Sequence, residues 1–111
     1  MSKIIMKIPT TEYNKVKKHI VDLFATGKKI SVANLLTEMV ISEEIPESLC
    51  LPRDFGTGAT NQVLLDVPED IYNKVTECSA KSTNQCGHWV TIHNIILSLI
   101  IKKINSLKKA K

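Results

Sequence analysis

Cys78, Cys86, His88 and His93 are the side chains best suited to hold a metal, and the lysines are those best suited to hold an anion. The first set stands eight, two and five residues apart. That spacing matches no common structural-zinc pattern, so no metal is expected. No Gly-rich phosphate loop, no Ser/His/Asp or Cys/His set and no pair of carboxylates facing across a pocket can be assembled. Neither an enzyme nor a cofactor is therefore expected. What remains is charge. Fifteen Lys and Arg against eleven Asp and Glu leave a formal +4, which leans towards an anionic partner.

Several elements must position those charges. At 111 residues with 43% apolar and 23% charged side chains, the chain is one soluble domain's worth of material. The longest apolar stretch, Ile92 to Ile104, is shorter than the ~20 residues of a membrane span, so no membrane association is expected. Met1 to Pro9 is too short and broken for a signal peptide. Cys50, Cys78 and Cys86 are odd in number and lack a Cys-x-x-Cys pair, and they read as reduced cytoplasmic thiols.

The strongest signal is a repeat. "IPTTEYNKV" at 8–16 returns as "VPEDIYNKV" at 67–75. Before each proline every second residue is aliphatic: Ile4, Met6 and Ile8, then Val63, Leu65 and Val67. Period two predicts a strand with one buried face. Pro9 and Pro68 suit the first turn of a following helix, where a missing N–H costs nothing.

That helix carries Tyr13, Val16, Ile20 and Leu23 or Phe24 on one face in the first copy, and Ile71, Tyr72, Val75 and Cys78 in the second. Gly27 and Gly87, in "ATGKK" and "STNQCGH", are expected to end it in a left-handed cap. A second helix follows, with "ISVANLLTEMVI" (30–41) lying over "VTIHNIILSLII" (90–101). Ser31 and Thr91 are expected N-caps, and Asn34 and Asn94 coincide on the first turn. Trp89 is expected to plug the end of the core. The lysines of 102–111 are expected to continue the last helix, where cations suit the dipole.

A strand followed by two amphipathic helices cannot satisfy its backbone alone, whereas two copies can, by pairing their strands antiparallel. The expected fold is mainly α with a two-stranded antiparallel β-ribbon. Residues 1–41 form repeat 1, 42–61 a linker, 62–101 repeat 2, and 102–111 a basic tail or helix extension. The linker "SEEIPESLCLPRDFGTGAT" holds two prolines and two glycines and should contain at most one turn of regular structure.

On the alternating strand, the proline after it, and "GKKISVAN" and "GHWVTIHN" at the second-helix turn, the sequence resembles the ribbon-helix-helix proteins of the Arc/MetJ class. The resemblance covers residues 3–41 and 62–101, with both copies in one chain. In that layout it is similar to the TraY-type accessory proteins of conjugative plasmids. The resemblance implies two ribbon-helix-helix repeats forming one pseudo-two-fold domain, a cytoplasmic protein that binds double-stranded DNA. Its role would be transcriptional regulation, such as repression, or DNA processing in a plasmid or phage, with self-association on DNA open.

In that family the strand residues two, four and six before the proline read base edges. Carried over, these are Lys3, Ile5 and Lys7 in repeat 1 and Gln62, Leu64 and Asp66 in repeat 2. The second-helix starts clamp flanking phosphates: Ser31, Val32, Ala33 and Asn34 with Lys28 and Lys29 on one side, and Thr91, Ile92, His93 and Asn94 on the other. The physics of the clamp is general, because first-turn N–H groups and the helix dipole favour an anion.

The two halves differ in charge. Residues 1–41 hold seven lysines against three acids, whereas 62–101 hold two lysines against four acids, among them Asp66, Glu69 and Asp70. An asymmetric footprint dominated by repeat 1 is expected. The alternative is a degenerate ribbon-helix-helix module that binds or inhibits another protein through the linker or repeat 2.

Overall fold

The computed structural model describes residues 2–52, 55 and 58–109. It is mainly helical, with one two-stranded sheet. The chain runs β1 (Ser2–Pro9), α1 (Thr10–Ala25), α2 (Val32–Ser42), β2 (Thr60–Val67), α3 (Glu69–Cys86) and α4 (Ile92–Lys109).

The strands pair antiparallel along their whole length, Ser2 opposite Val67 through to Pro9 opposite Thr60. The alternation places Ile4, Met6, Ile8, Val63, Leu65 and Val67 on one buried face. That face packs on α2 and α4, whose Leu35, Leu36, Met39, Val40, Ile95, Ile96 and Ile100 are also buried. Each fully buried aliphatic side chain contributes about 1.5–3 kcal/mol, so the seam between ribbon and second helices is the core. From α1 only Val16 is buried, and from α3 Val75 and Cys78 join the same cluster.

Each proline sits one residue earlier than expected, as N-cap rather than in the first turn. Pro9 (φ −52°, ψ 137°) and Pro68 (φ −56°, ψ 147°) are still extended. The carbonyl of Pro68 already accepts the N–H of Tyr72 at 2.9 Å. Gly27 (φ 91°) and Gly87 (φ 74°) adopt the left-handed conformation expected after α1 and α3.

α3 continues through the polar run to Cys86 and ends at the expected Gly87 cap. Its hydroxyls have partners there: Ser82 Oγ accepts the N–H of Leu49 at 2.7 Å, and Thr83 Oγ1 accepts that of Val90 at 3.0 Å. At the end of α1, Phe24 is 60% exposed and Leu23 is the half-buried member of the pair. α4 does continue into the lysines of the tail.

Two expectations fail. Trp89 does not plug the core: it is 76% exposed, and Val90 takes the buried place beside it. The three cysteines are not all free thiols either. Cys50 and Cys86 form a disulfide across 36 residues of sequence, and only Cys78 is left as a buried thiol. The cysteine pattern therefore gives no reason to place the chain in a reducing compartment.

The disulfide reflects the path of the linker, which the sequence spacing could not show. Between α2 and β2 its described residues form no helix or strand, yet it lies along α3 in successive contacts. Lys81 Nζ meets Glu47 Oε1 at 3.2 Å, Ser48 Oγ donates to Gln85 Oε1 at 2.8 Å, and Leu49 bonds Ser82. Leu51 O then accepts from His88 Nε2 at 2.6 Å. Ile45, Leu49, Leu51 and Phe55 pack against the core. Nearer α2, Glu43 lies 3.8 Å from Lys103 Nζ and 4.0 Å from Lys102 Nζ. Among the described residues no helix is long and apolar enough to cross a membrane.

Two measurements check this packing. Leu65→Ala should destabilise by about 2–5 kcal/mol in urea unfolding, while Leu64→Ala, one residue along, stays within about 0.5 kcal/mol. The reverse ranking would mean the ribbon is turned over. Unfolded without reductant, the protein should take up one iodoacetamide by mass, and three after reduction. Reduction should also lower stability by about 2–4 kcal/mol through loop closure.

Candidate nucleic-acid interface

Burying one face of a two-stranded ribbon obliges the other to turn outward. Lys3, Ile5, Lys7, Gln62, Leu64 and Asp66 are all exposed on that front. The register pairs them across the strands: Lys3 opposite Asp66, Ile5 opposite Leu64, and Lys7 opposite Gln62. The charge is thus graded along the ribbon. Lys3 faces an acid at one end, Lys7 faces a neutral amide at the other, and between them lies an apolar pair, 59% and 52% exposed. The linker residues Glu47, Ser48 and Leu49 lie on α3, away from that pair.

Next to the lysine-bearing strand stands the start of α4. A groove of about 760 Å³ runs between β1, α3 and the α3–α4 turn, with Lys3, Ile5, Tyr72, Trp89, Thr91 and His93 among its walls. A smaller one of about 280 Å³, bordered by Ile5, Lys7, His93 and Asn94, continues along β1. The helix of the second half therefore flanks the strand of the first, an arrangement that spacing along the chain could not show. α2 packs on β2 in the same crossed sense.

The starts of α2 and α4 are built alike. Ser31 Oγ accepts the N–H of Asn34 at 3.2 Å, and Thr91 Oγ1 accepts that of Asn94 at 3.1 Å. The first carbonyls of the two turns, Ser31 O and Thr91 O, accept from Leu35 and Ile95. The caps occupy the third N–H of each helix, so those of Val32, Ala33, Ile92 and His93 are the ones aimed outward for an acceptor. Ser31, Ala33, Asn34 and the neighbouring Lys28 and Lys29 are exposed or half-exposed, as are Thr91, Ile92, His93 and Asn94. Lys29 Nζ rests 6.0 Å from the Phe24 ring, which can hold a cation without neutralising it.

The residues weighed as metal ligands are put to other uses. Cys86 is in the disulfide, His88 bonds the linker, and Cys78 Sγ lies 3.8 Å from Ser82 Oγ in the core. His93 belongs to the groove instead. Trp89, like Cys50 and Cys86, was assigned wrongly by sequence reasoning. A signal existed, because the aligned turns "GKKISVAN" and "GHWVTIHN" set Trp89 over Lys29, an exposed position rather than a core one. Compared with models of protein families, with curated proteins and with solved structures, the chain matches none.

Proposed function

We propose that this chain is a sequence-specific double-stranded DNA-binding protein of ribbon-helix-helix type. Its two strand–helix–helix repeats form one pseudo-two-fold domain that lays the β-ribbon in the major groove. The observation that carries this reading is the open ribbon front: six outward side chains, two of them lysines, backed by a fully buried face. A groove about 12 Å wide admits a two-stranded ribbon. Ile5 lies opposite Leu64, its own counterpart in the repeat, as a two-fold through the ribbon centre requires.

The chemistry of the front suits base edges. Lys3 and Lys7 donate to guanine O6 and N7, Gln62 can bind adenine through both amide atoms, and Asp66 accepts from cytosine N4. Ile5 and Leu64 match thymine methyl groups. The starts of α2 and α4 hold the flanking phosphates through their N–H groups, with Lys28 and Lys29 adding charge on the α2 side. Repeat 1 supplies more of the attraction, since Asp66, Glu69 and Asp70 repel phosphate near β2. A regulator such as a repressor, or an accessory factor in plasmid or phage DNA processing, would use such a domain.

A second reading rests on the apolar pair at the ribbon centre and on Asp66 facing Lys3. Both suit a protein surface, for a module that binds or inhibits another protein.

Selection from a random-sequence duplex pool, followed by salt titration on the selected site, separates the two. DNA binding predicts that affinity falls with a log–log slope of about −0.9 per neutralised phosphate. Lys3→Ala with Lys7→Ala should erase the preference for the selected site, at about 1–3 kcal/mol per base contact. The thermal midpoint should stay nearly unchanged, because both lysines are on the surface. Binding of the selected site by the double variant at wild-type affinity would remove β1 from the groove.

A further inference from the structure

Trp89 is the chain's single tryptophan, and at 76% exposure it leaves a large ring in water. Burying such a ring is worth several times the burial of a methyl group, so its exposure invites a partner. The exposure does not come from a loose turn. On one side His88 Nε2 donates to Leu51 O at 2.6 Å. On the other, buried Val90 donates its N–H to Thr83 Oγ1 at 3.0 Å and accepts from Ser79 Oγ at 2.5 Å. Three residues earlier, Cys86 is bonded to Cys50 of the linker strap. The ring is thus held out from a backbone that is fixed on both flanks, which lowers the entropy lost when something packs on it.

It forms one wall of the 760 Å³ groove, facing the ribbon-front residues Lys3 and Ile5. The other described lining residues are Ile4 and Ile92, the hydroxyls of Tyr72, Thr91 and Ser79 (the last already donated to Val90), and the His93 imidazole, and none is a carboxylate. A cation, several donors and an apolar wall together complement a ligand that is anionic on one side and apolar on the other. A deoxyribose with its phosphate has that character.

We infer that Trp89 is a DNA-backbone contact of the α4 flank. The indole face packs on a deoxyribose beside the bases that β1 reads, and its Nε1–H, a donor without acceptor capacity, bonds the adjoining phosphate. The inference rests on the DNA-binding reading and deepens it. In the repeat register Trp89 stands where repeat 1 has Lys29, and His93 where it has Ala33. Repeat 1 would hold its strand of the duplex by charge. Repeat 2, with more acids than lysines, would hold the other by an apolar contact.

The single tryptophan makes the test direct, using the oxidised 111-residue chain and the duplex recovered by selection. Wild-type emission should shift to the blue and change in intensity on duplex addition, saturating with binding measured by mobility shift. Trp89→Ala should weaken binding about tenfold, in the range of ring–nucleotide packing, with sequence preference and salt slope retained. Trp89→Phe, which keeps a ring but loses the Nε1–H, should recover only part of the loss. Far-ultraviolet circular dichroism verifies that both variants fold.

If the wild type binds duplex with unchanged emission, and Trp89→Ala binds as well as wild type, this inference falls while the DNA reading stands. If the wild type selects no duplex at all, the DNA reading fails and the inference goes with it. Concentration-dependent self-association that Trp89→Ala abolishes, at unchanged duplex affinity, would assign the ring to a second copy of the chain and overturn the inference too.

Discussion

Everything in this molecule depends on eight residues of β1 finding eight residues of β2 in one register. An isolated strand leaves its N–H and C=O groups for water and cannot bury its apolar face without penalty. Pairing resolves both problems together, since it satisfies the ladder and merges two narrow aliphatic stripes into one face broad enough to seat two helices. Because side chains alternate with period two, that pairing also decides what the outside world meets. A slip of one residue by β1 would bury Lys3 and Lys7 and expose Met6, and the same slip by β2 would bury Asp66 and expose Leu65. The core therefore selects the front: the cost of burying those charges keeps them outward, whatever they bind.

The linker contributes in a way its composition hides. Prolines, glycines and acids suggest a passive connector, yet it runs along α3 through an ion pair, three hydrogen bonds and a disulfide. Its contacts converge on the α3–α4 turn, where Gly87 reverses the chain and Val90 re-enters the core. That turn leads into the start of α4 beside β1. A segment without regular structure thereby helps set the position of a helix terminus on the proposed binding face. Glu47 and Glu43 of the linker meet lysines of α3 and α4 respectively.

The two halves share an architecture but not a surface. The first half carries the lysines of the ribbon and of the turn before α2. The second half carries Asp66 on its strand, Glu69 and Asp70 at the start of α3, and a ring and imidazole at the corresponding turn. Because α4 lies beside β1, the less basic half contributes its turn next to the more basic strand. On the proposed reading, this crossing spreads attraction across the ribbon and tempers the asymmetry that charge counts along the chain imply.

The order of strands and helices, their apolar faces, the left-handed glycines and the two hydroxyl caps were all legible in the residues. Each is a local matter: alternation, helical spacing or a hydrogen bond three residues away. The six front positions follow from the same alternation. What the chain order could not reveal was any relation between distant segments. Cys50 and Cys86 are an unremarkable 36 residues apart until the linker folds along α3. Trp89 looked like core material because large rings usually are, but Val90 had already filled that place. The sequence by itself determined which side of each element is apolar, since that depends on near neighbours. Only the tertiary structure decided which elements lie side by side, because packing many side chains at once chooses the neighbours.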